Sequence, residues 1–295
     1  MKLSGFGLLV VLLAAPLTAQ GPRVMTPPDE ANVRYGQYER NVLDLWRAGG
    51  PSPSPVVVYF HAGGFTGGDK SHLPRALLQA CHRRGFSVVS ANYRFSTQAR
   101  FPGPMLDGGR AIQFVRSQAD RWDLDPSRLV VSGRSAGAAM ALWLAFHDDL
   151  ADPDAVDPLE RISTRPSAVG TVGAQSTLDP RDIAEWISPA TASHPAFAQL
   201  FGGSRSTDLY REASAIHHLS PDDPPAFLFY TDPGGDVPVD ARPGTGVHHP
   251  RFGYVLQGRM QALGLTCTVR LGTDYSNDFP QMFEDMAEFF AKAGR

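Results

Sequence analysis

Cysteine is scarce in this 295-residue chain, which carries only Cys81 and Cys267. Neither sits in a C-x-x-C or other ligand spacing, which excludes a dithiol redox centre, a cysteine-based zinc module and a disulfide-stapled scaffold. Cys81 falls in an expected helix and Cys267 in an expected late strand. They read as two separate buried thiols, since a bridge needs Cα atoms within about 7 Å. Charge of one sign is also missing. Lysine and arginine total 27 against 30 acids, a net charge of -3, and the signs are interspersed. No basic stripe marks a nucleic-acid partner. Internal repeats and low-complexity tracts are absent, which excludes a solenoid. Histidine is missing from the end of the chain, where none follows His249.

Apolar runs long enough to span a bilayer are lacking too. The longest, in "MKLSGFGLLVVLLAAPLTAQG", extends only from Phe6 to Ala15 behind the basic Lys2. Small residues follow, with a cut expected after Ala19, so residues 1–19 read as a signal peptide and 20–30 as a lead-in. No cysteine follows to carry a lipid. The mature protein is therefore expected to be secreted or periplasmic, with no transmembrane segment.

What is present is regular alternation. "NVRYGQY" and "NVLDLWRA" read as a strand hairpin, and "PVVVYFH" as a buried strand by its β-branched and aromatic run. Helical "LPRALLQACHRRG", strand "FSVVSANYR", helix "PMLDGGRAIQFVRSQADRW", strand "RLVVSG" and helix "AGAAMALWLAFH" follow. "SAVGTVGA" is a shorter strand, and an irregular segment of about 175–214 then interrupts the pattern. "PPAFLFYT", "HPRFGYVLQGRMQALG", "LTCTVRLG" and "PQMFEDMAEFFAKAG" resume it as strand, helix, strand, helix. Such alternation predicts one α/β domain over 31–295. Its sheet is mostly parallel, with right-handed crossovers and helices on both faces. The irregular segment, with Trp186, Phe197 and Phe201, is the expected cap.

Ligands bind such sheets at the carboxyl ends of the strands. "VVSGRSAGAAMALW" places Ser135 there, between a strand and a helix, in a G-x-S-x-G turn. The glycines let strand and helix approach closely, and the hydroxyl is held at the helix N-terminus, where free N–H groups favour negative charge. "HAGGFTGGDKS", directly after the first buried strand, places Gly63 and Gly64 at the same edge. Their N–H groups with that of Ala136 form a candidate oxyanion hole, each donor worth about 3 kcal/mol in a transition state. A phosphate loop does not fit, because Asp69 separates Gly68 from Lys70 and no G-K-S element forms.

With "NYR" at Asn92–Arg94, "DLDPSRLVVSGRSAGAAMAL" and "SPDDPPAFLFY", these segments resemble the esterase and lipase branch of the α/β-hydrolase fold. The likeness is to feruloyl-esterase-like and hormone-sensitive-lipase-like carboxylesterases, in family order across most of 31–292. The resemblance implies an eight-stranded, mostly parallel sheet and a Ser-Asp-His triad acting on a small-molecule ester, without cofactor or metal. Ala62 replaces the second position of the family's H-G-G-G. By the family's D-x-x-V-P turn, Asp236 is the acid, with Asp232 next; each also reads as a turn former among Pro and Gly. The family's G-x-x-H-G-F-like segment is here "GTDYSNDF", with Asn277 in the histidine's place. Asparagine cannot take the serine's proton, so the base must come from elsewhere.

His217 and His218 precede a strand and belong to the opposite edge, His147 ends the helix that starts at Ser135, and His194 lies in the cap. His248 and His249 stand where a helix starts at the functional edge, with Pro250 in its first turn. They are the candidate bases; capping and local packing is the structural alternative, and a metal pair with Asp232 and Asp236 lacks ligand spacing. The leading expectation is a secreted carboxylesterase acting through an acyl-enzyme on Ser135, on acyl or feruloyl groups of carbohydrates. A catalytically weak hydrolase-fold binding protein and an amidase or peptidase on the same fold are the alternatives.

Overall fold

The apolar run Ser54–Phe60 is buried at every position and alternates between two cores, which explains its unbroken hydrophobicity. The computed structural model describes residues 26–293, so the expected signal peptide and much of the lead-in lie outside the described residues. Eight strands form one sheet: β1 (Glu30–Arg34), β2 (Val42–Trp46), β3 (Ser54–Phe60), β4 (Ser87–Ala91), β5 (Leu124–Arg134), β6 (Ala168–Val172), β7 (Ala226–Tyr230) and β8 (Cys267–Leu271). Their order is β1-β2-β4-β3-β5-β6-β7-β8. β1 and β2 pair antiparallel, β2 runs antiparallel to β4, and every later pairing is parallel. The mostly parallel eight-stranded sheet is the expected one.

The helices are α1 (Arg75–Arg83), α2 (Gly103–Ser117), α3 (Ala119–Trp122), α4 (Ala136–Phe146), α5 (Pro180–Trp186), α6 (Pro189–Ala192), α7 (Pro195–Leu200), α8 (Thr207–Glu212), α9 (Arg251–Ala262) and α10 (Phe279–Ala293). α1 and α10 cover one face of the sheet through Leu77, Leu78 and Cys81 and through Met282, Met286 and Phe290. α2, α3, α4 and α9 cover the other. α10 shows the spacing a one-sided helix needs, with buried Met282, Phe283, Met286, Ala287 and Phe290 against exposed polar positions. α4 has no polar face at all. Its eleven residues are all buried, because it lies between the sheet, α2 and the segment beyond β6.

That segment, about 175–214, is not irregular. It folds as α5 to α8, each begun by a side chain that accepts a first-turn N–H: Asp179, Ser188, His194 and Ser206. In α5, α6 and α7 a proline follows the cap at the first helical position, where its missing N–H costs nothing. Among the described residues no helix is long and apolar enough to cross a membrane. Cys81 and Cys267 are both free and buried, and burial pushes each thiol up to about 12.

β3 continues to β4 on one side, whereas β5 continues to β6 on the other. The strand order therefore reverses between β3 and β5, which pair in parallel with Phe60 beside Gly133. A crevice opens at the carboxyl ends of such a pair. The loop after β3 carries Gly63 and Gly64, and the turn after β5 carries Ser135.

Candidate active site

Ser135 adopts φ 53° and ψ -117°. Such a backbone conformation costs a non-glycine residue about 1–3 kcal/mol and persists only where the surroundings impose it. Here the Ser135 N–H donates to the Val172 carbonyl at 2.9 Å and its carbonyl accepts from Ala139 N at 2.9 Å, fixing the turn at both ends. A Cβ on Gly133 would lie 2.2 Å from the Gly137 carbonyl oxygen, and one on Gly137 only 2.1 Å from that of Phe60. The two glycines are thus dictated by backbone contact. Ala136 is the first residue of α4, so its N–H has no partner within the helix.

The glycine loop after β3 rests on a polar scaffold. His61 is fully buried, stacked on Tyr93 with ring centroids 4.3 Å apart. Its Nδ1–H donates to the Ala62 carbonyl at 2.8 Å, leaving Nε2 to accept from Arg40 at 3.2 Å. Desolvation lowers this imidazole to about 4, so it stays neutral. Arg40 also donates to the Gly68 carbonyl and lies 3.7 Å over the Phe95 ring. Lys70, in the motif that resembled a phosphate loop, has its ammonium buried against Asp44 at 2.7 Å. Asn92 accepts from Lys70 N and donates to Asp69. Arg94 grips Asp107 through its Nε and Nη2. "GGDKS", "NYR" and Asp107 therefore hold the loop from behind. At Gly63, with φ 137°, a Cβ would fall 2.0 Å from the Gly67 carbonyl oxygen, so this sharp turn admits glycine alone.

His248 meets the serine. Its Nε2 lies 2.8 Å from Ser135 Oγ, in hydrogen-bond contact across 113 residues of sequence. The ring backs onto Gly173, where a Cβ would stand 3.1 Å from the imidazole. The buried Gln175 amide donates to the carbonyls of Gly173 and Val247, the latter at 2.6 Å, and so pins the residue before His248 to the end of β6. Sequence reasoning missed Gln175; its position just past β6, on the functional edge, was the available signal. Thr191 Oγ1 donates to Thr245 O, and Gly244 N to Ala190 O, fastening the histidine loop to α6. Desolvation lowers His248 to about 4, helped by the positive charges of Arg134 and His194 and opposed by Asp232.

His249 is turned away. Its Nδ1 accepts from Arg251 N at 3.0 Å at the start of α9, and its Nε2–H donates to the Gly235 carbonyl at 2.9 Å in the loop after β7, so both nitrogens are occupied. Asp236 is exposed; among the described residues no hydrogen bond or ion pair joins it to His248 or His249. Asp232 is the carboxylate whose field reaches His248, while its Oδ1 accepts from Gly234 N. Asn277 is exposed, in left-handed backbone with φ 62°, beyond the 3-10 turn that follows β8. His194, in the cap, accepts from Ala196 N as the helix cap of α7. α7 also touches the glycine loop, since a Cβ on Gly64 would lie 3.2 Å from the Ala196 methyl.

Two groups of three side chains have the composition and proximity to hold a metal ion among the described residues: His147, Glu212 and His218, and Asp179, Asp182 and His217. Neither includes Ser135 or His248. A cleft of about 520 Å³ beside α2, lined by Tyr38, Leu106 and Arg110 among others, is likewise separate from the serine.

Curated relatives carry related names. The chain is 25% identical over 221 residues to the "Probable carboxylic ester hydrolase LipM" of Mycobacterium tuberculosis, covering 71% of this chain and 49% of that protein. It is 27% identical over 227 residues to "Esterase LipQ" of the same organism, covering 74% and 52%. The chain thus spans about half the length of these relatives. Among solved structures, an acetyl ester-xyloside bifunctional hydrolase from Caldicellulosiruptor lactoaceticus superposes with TM-score 0.72 at 21% identity, over 92% of this chain and 98% of that one. A truncated carbohydrate esterase from gut microbiota gives 0.71 at 19%, over 91% and 99%. At these identities the structural likeness establishes the α/β-hydrolase fold. The sequence profile of BD-FAE matches residues 43–242, more than half of the chain, which therefore belongs to the BD-FAE family.

Proposed function

We propose that this protein is an exported carboxylic ester hydrolase that removes small acyl or feruloyl groups from carbohydrates through an acyl-enzyme on Ser135. The observation that carries the reading is the 2.8 Å contact between His248 Nε2 and Ser135 Oγ at a strained strand-to-helix turn. Neutral His248 accepts the serine proton as the oxygen attacks the ester carbonyl, then returns a proton to the leaving alcohol. The N–H groups of Gly63, Gly64 and Ala136 receive the oxyanion. Asp232, rather than Asp236, supplies the negative field that favours the imidazolium formed in passing. Asn277 stands in the family's usual histidine segment, and His248 takes over from the side of the acid loop. Carbohydrate esters are supported as substrates by membership of the BD-FAE family and by the likeness to a carbohydrate esterase and an acetyl ester-xyloside hydrolase.

The test is turnover of p-nitrophenyl acetate and of acetylated or feruloylated oligosaccharides by the mature protein. Ser135→Ala is expected to abolish turnover, and His248→Ala to lower kcat by about 10²–10⁴. Rapid, Ser135-dependent labelling by a fluorophosphonate is expected as well. Equal rates in wild type and Ser135→Ala would overturn the assignment of Ser135, and absence of both turnover and labelling in wild type would favour an inactive binding protein.

A further inference from the structure

The end of α4 farthest from Ser135 holds a second cluster of chemistry-bearing side chains. Buried Trp143 carries the His147 ring on its face, with centroids 4.1 Å apart. The His218 ring, from the turn that follows α8, lies 4.7 Å from that of His147. Glu212, the last residue of α8, completes the group. One ligand atom from each of the three lies within 4.8 Å of the others.

Proton placement makes this more than proximity. The Glu212 main-chain carbonyl accepts from Trp143 Nε1–H at 2.8 Å and from His218 Nε2–H at 2.8 Å. A carbonyl only accepts, so Nε2 of His218 holds the proton and Nδ1 keeps a bare lone pair. His147 Nδ1–H donates to the Asp148 carbonyl at 2.8 Å, and its Nε2 faces the Glu212 carboxylate at 2.9 Å. Each imidazole is thereby tied through one N–H to a backbone carbonyl. That is how the tautomer and ring orientation of metal-binding histidines are set. Two imidazole nitrogens and a carboxylate oxygen are a donor set zinc accepts, with water filling a fourth position. Bonds of about 2.0–2.1 Å require these donor atoms to close in around the ion.

We propose that His147, Glu212 and His218 form a divalent-metal site, with zinc as its occupant. The site joins the end of the cap to the helix that starts at the nucleophile. α4 rises about 1.5 Å per residue, so Ser135 and His147 at its two caps stand about 18 Å apart along the helix, and the ion's role is to clasp rather than to react. The exposed Glu212 side chain gives the ion a path from solvent. The spacing was invisible in sequence, since His147 and Glu212 stand 65 residues apart.

The test uses the full-length protein after EDTA dialysis, titrated with zinc chloride in a calorimeter. Wild type and His248→Ala are both expected to bind zinc with the same affinity, which separates this site from the serine's histidine. His147→Ala with His218→Ala, and separately the conservative Glu212→Gln, are expected to weaken binding at least tenfold and to lose the zinc-induced rise in Tm. Metal-free turnover of p-nitrophenyl acetate by Glu212→Gln is expected within twofold of wild type, reporting an intact fold. No saturable binding by wild type, or binding by Glu212→Gln and by the double variant as tight as that of wild type, would reduce the cluster to a histidine–carboxylate hydrogen bond and overturn the proposal.

Discussion

His248 has to be neutral to accept the serine proton, so its environment sets the acid limb of the pH profile. Desolvation, Arg134 and His194 lower it to about 4 against an ordinary 6.5, and Asp232 alone among the named charges raises it. The acid limb of kcat/KM is therefore expected well below that of an unperturbed histidine. The variants at the two candidate acids separate them. Asp232→Asn removes the raising charge and moves the limb to still lower pH, with a lower kcat because the transient imidazolium loses its partner field. Asp236→Asn, at an exposed position, leaves the limb in place. Stopped-flow profiles of both variants against wild type check this, and a shift in Asp236→Asn alone would reverse the assignment. His194→Ala removes a lowering charge and is expected to move the limb upward.

At the scale of elements, the parallel strands and long helices were legible because each carries an unbroken apolar run or a one-sided period. β3, β7 and the Leu129–Gly133 half of β5 are buried on both faces, and α10 on one. The elbow was legible for a related reason: Gly133 and Gly137 are required by backbone contacts that any strand-turn-helix of this kind makes. The cap helices were not. At four to seven residues they are too short to display a period, and their signal lay in the pairs Asp179–Pro180, Ser188–Pro189 and His194–Pro195. Nor does sequence separate His248 from His249. Adjacent residues entering a helix point in different directions, and only the turn from Gly246 to Pro250 decides which ring meets Ser135. That turn gives His249 to α9, with a prediction attached. His249→Ala removes the acceptor for Arg251 N and the donor to Gly235 O, at a cost of about 1–2 kcal/mol. Tm is expected to fall by several degrees while the acid limb of kcat/KM stays put; an altered limb with unchanged Tm would mean that His249 takes part in the chemistry.

For the molecule as a whole, the desolvation that keeps the functional edge in its working protonation state has a consequence for stability. His61, beneath the glycine loop, and His248, against Ser135, are both held near 4 in the folded protein, mainly by desolvation. Unfolded, each takes up its proton near 6.5. Between these values the unfolded chain binds more protons than the folded one, so stability rises with pH. The contribution is complete above about 6.5 and is lost as pH falls towards 4, on the order of 3 kcal/mol per imidazole. Asp69, lowered to about 2 by hydrogen bonds from Ser71 and Asn92 that outweigh its desolvation, extends the loss to lower pH. Asp223, raised by desolvation, opposes it weakly near the ordinary carboxylate range. Against a total stability of about 5–15 kcal/mol for a domain, two such imidazoles are a large share. The urea midpoint is therefore expected to drop substantially between pH 7.5 and 4.5 with little change in slope. His61→Gln, which removes one titrating ring from the scaffold, is expected to flatten that dependence even though it lowers stability at pH 7.5. A midpoint independent of pH over this range would show that neither imidazole is held neutral by the fold, and would take the basis from the low acid limb as well.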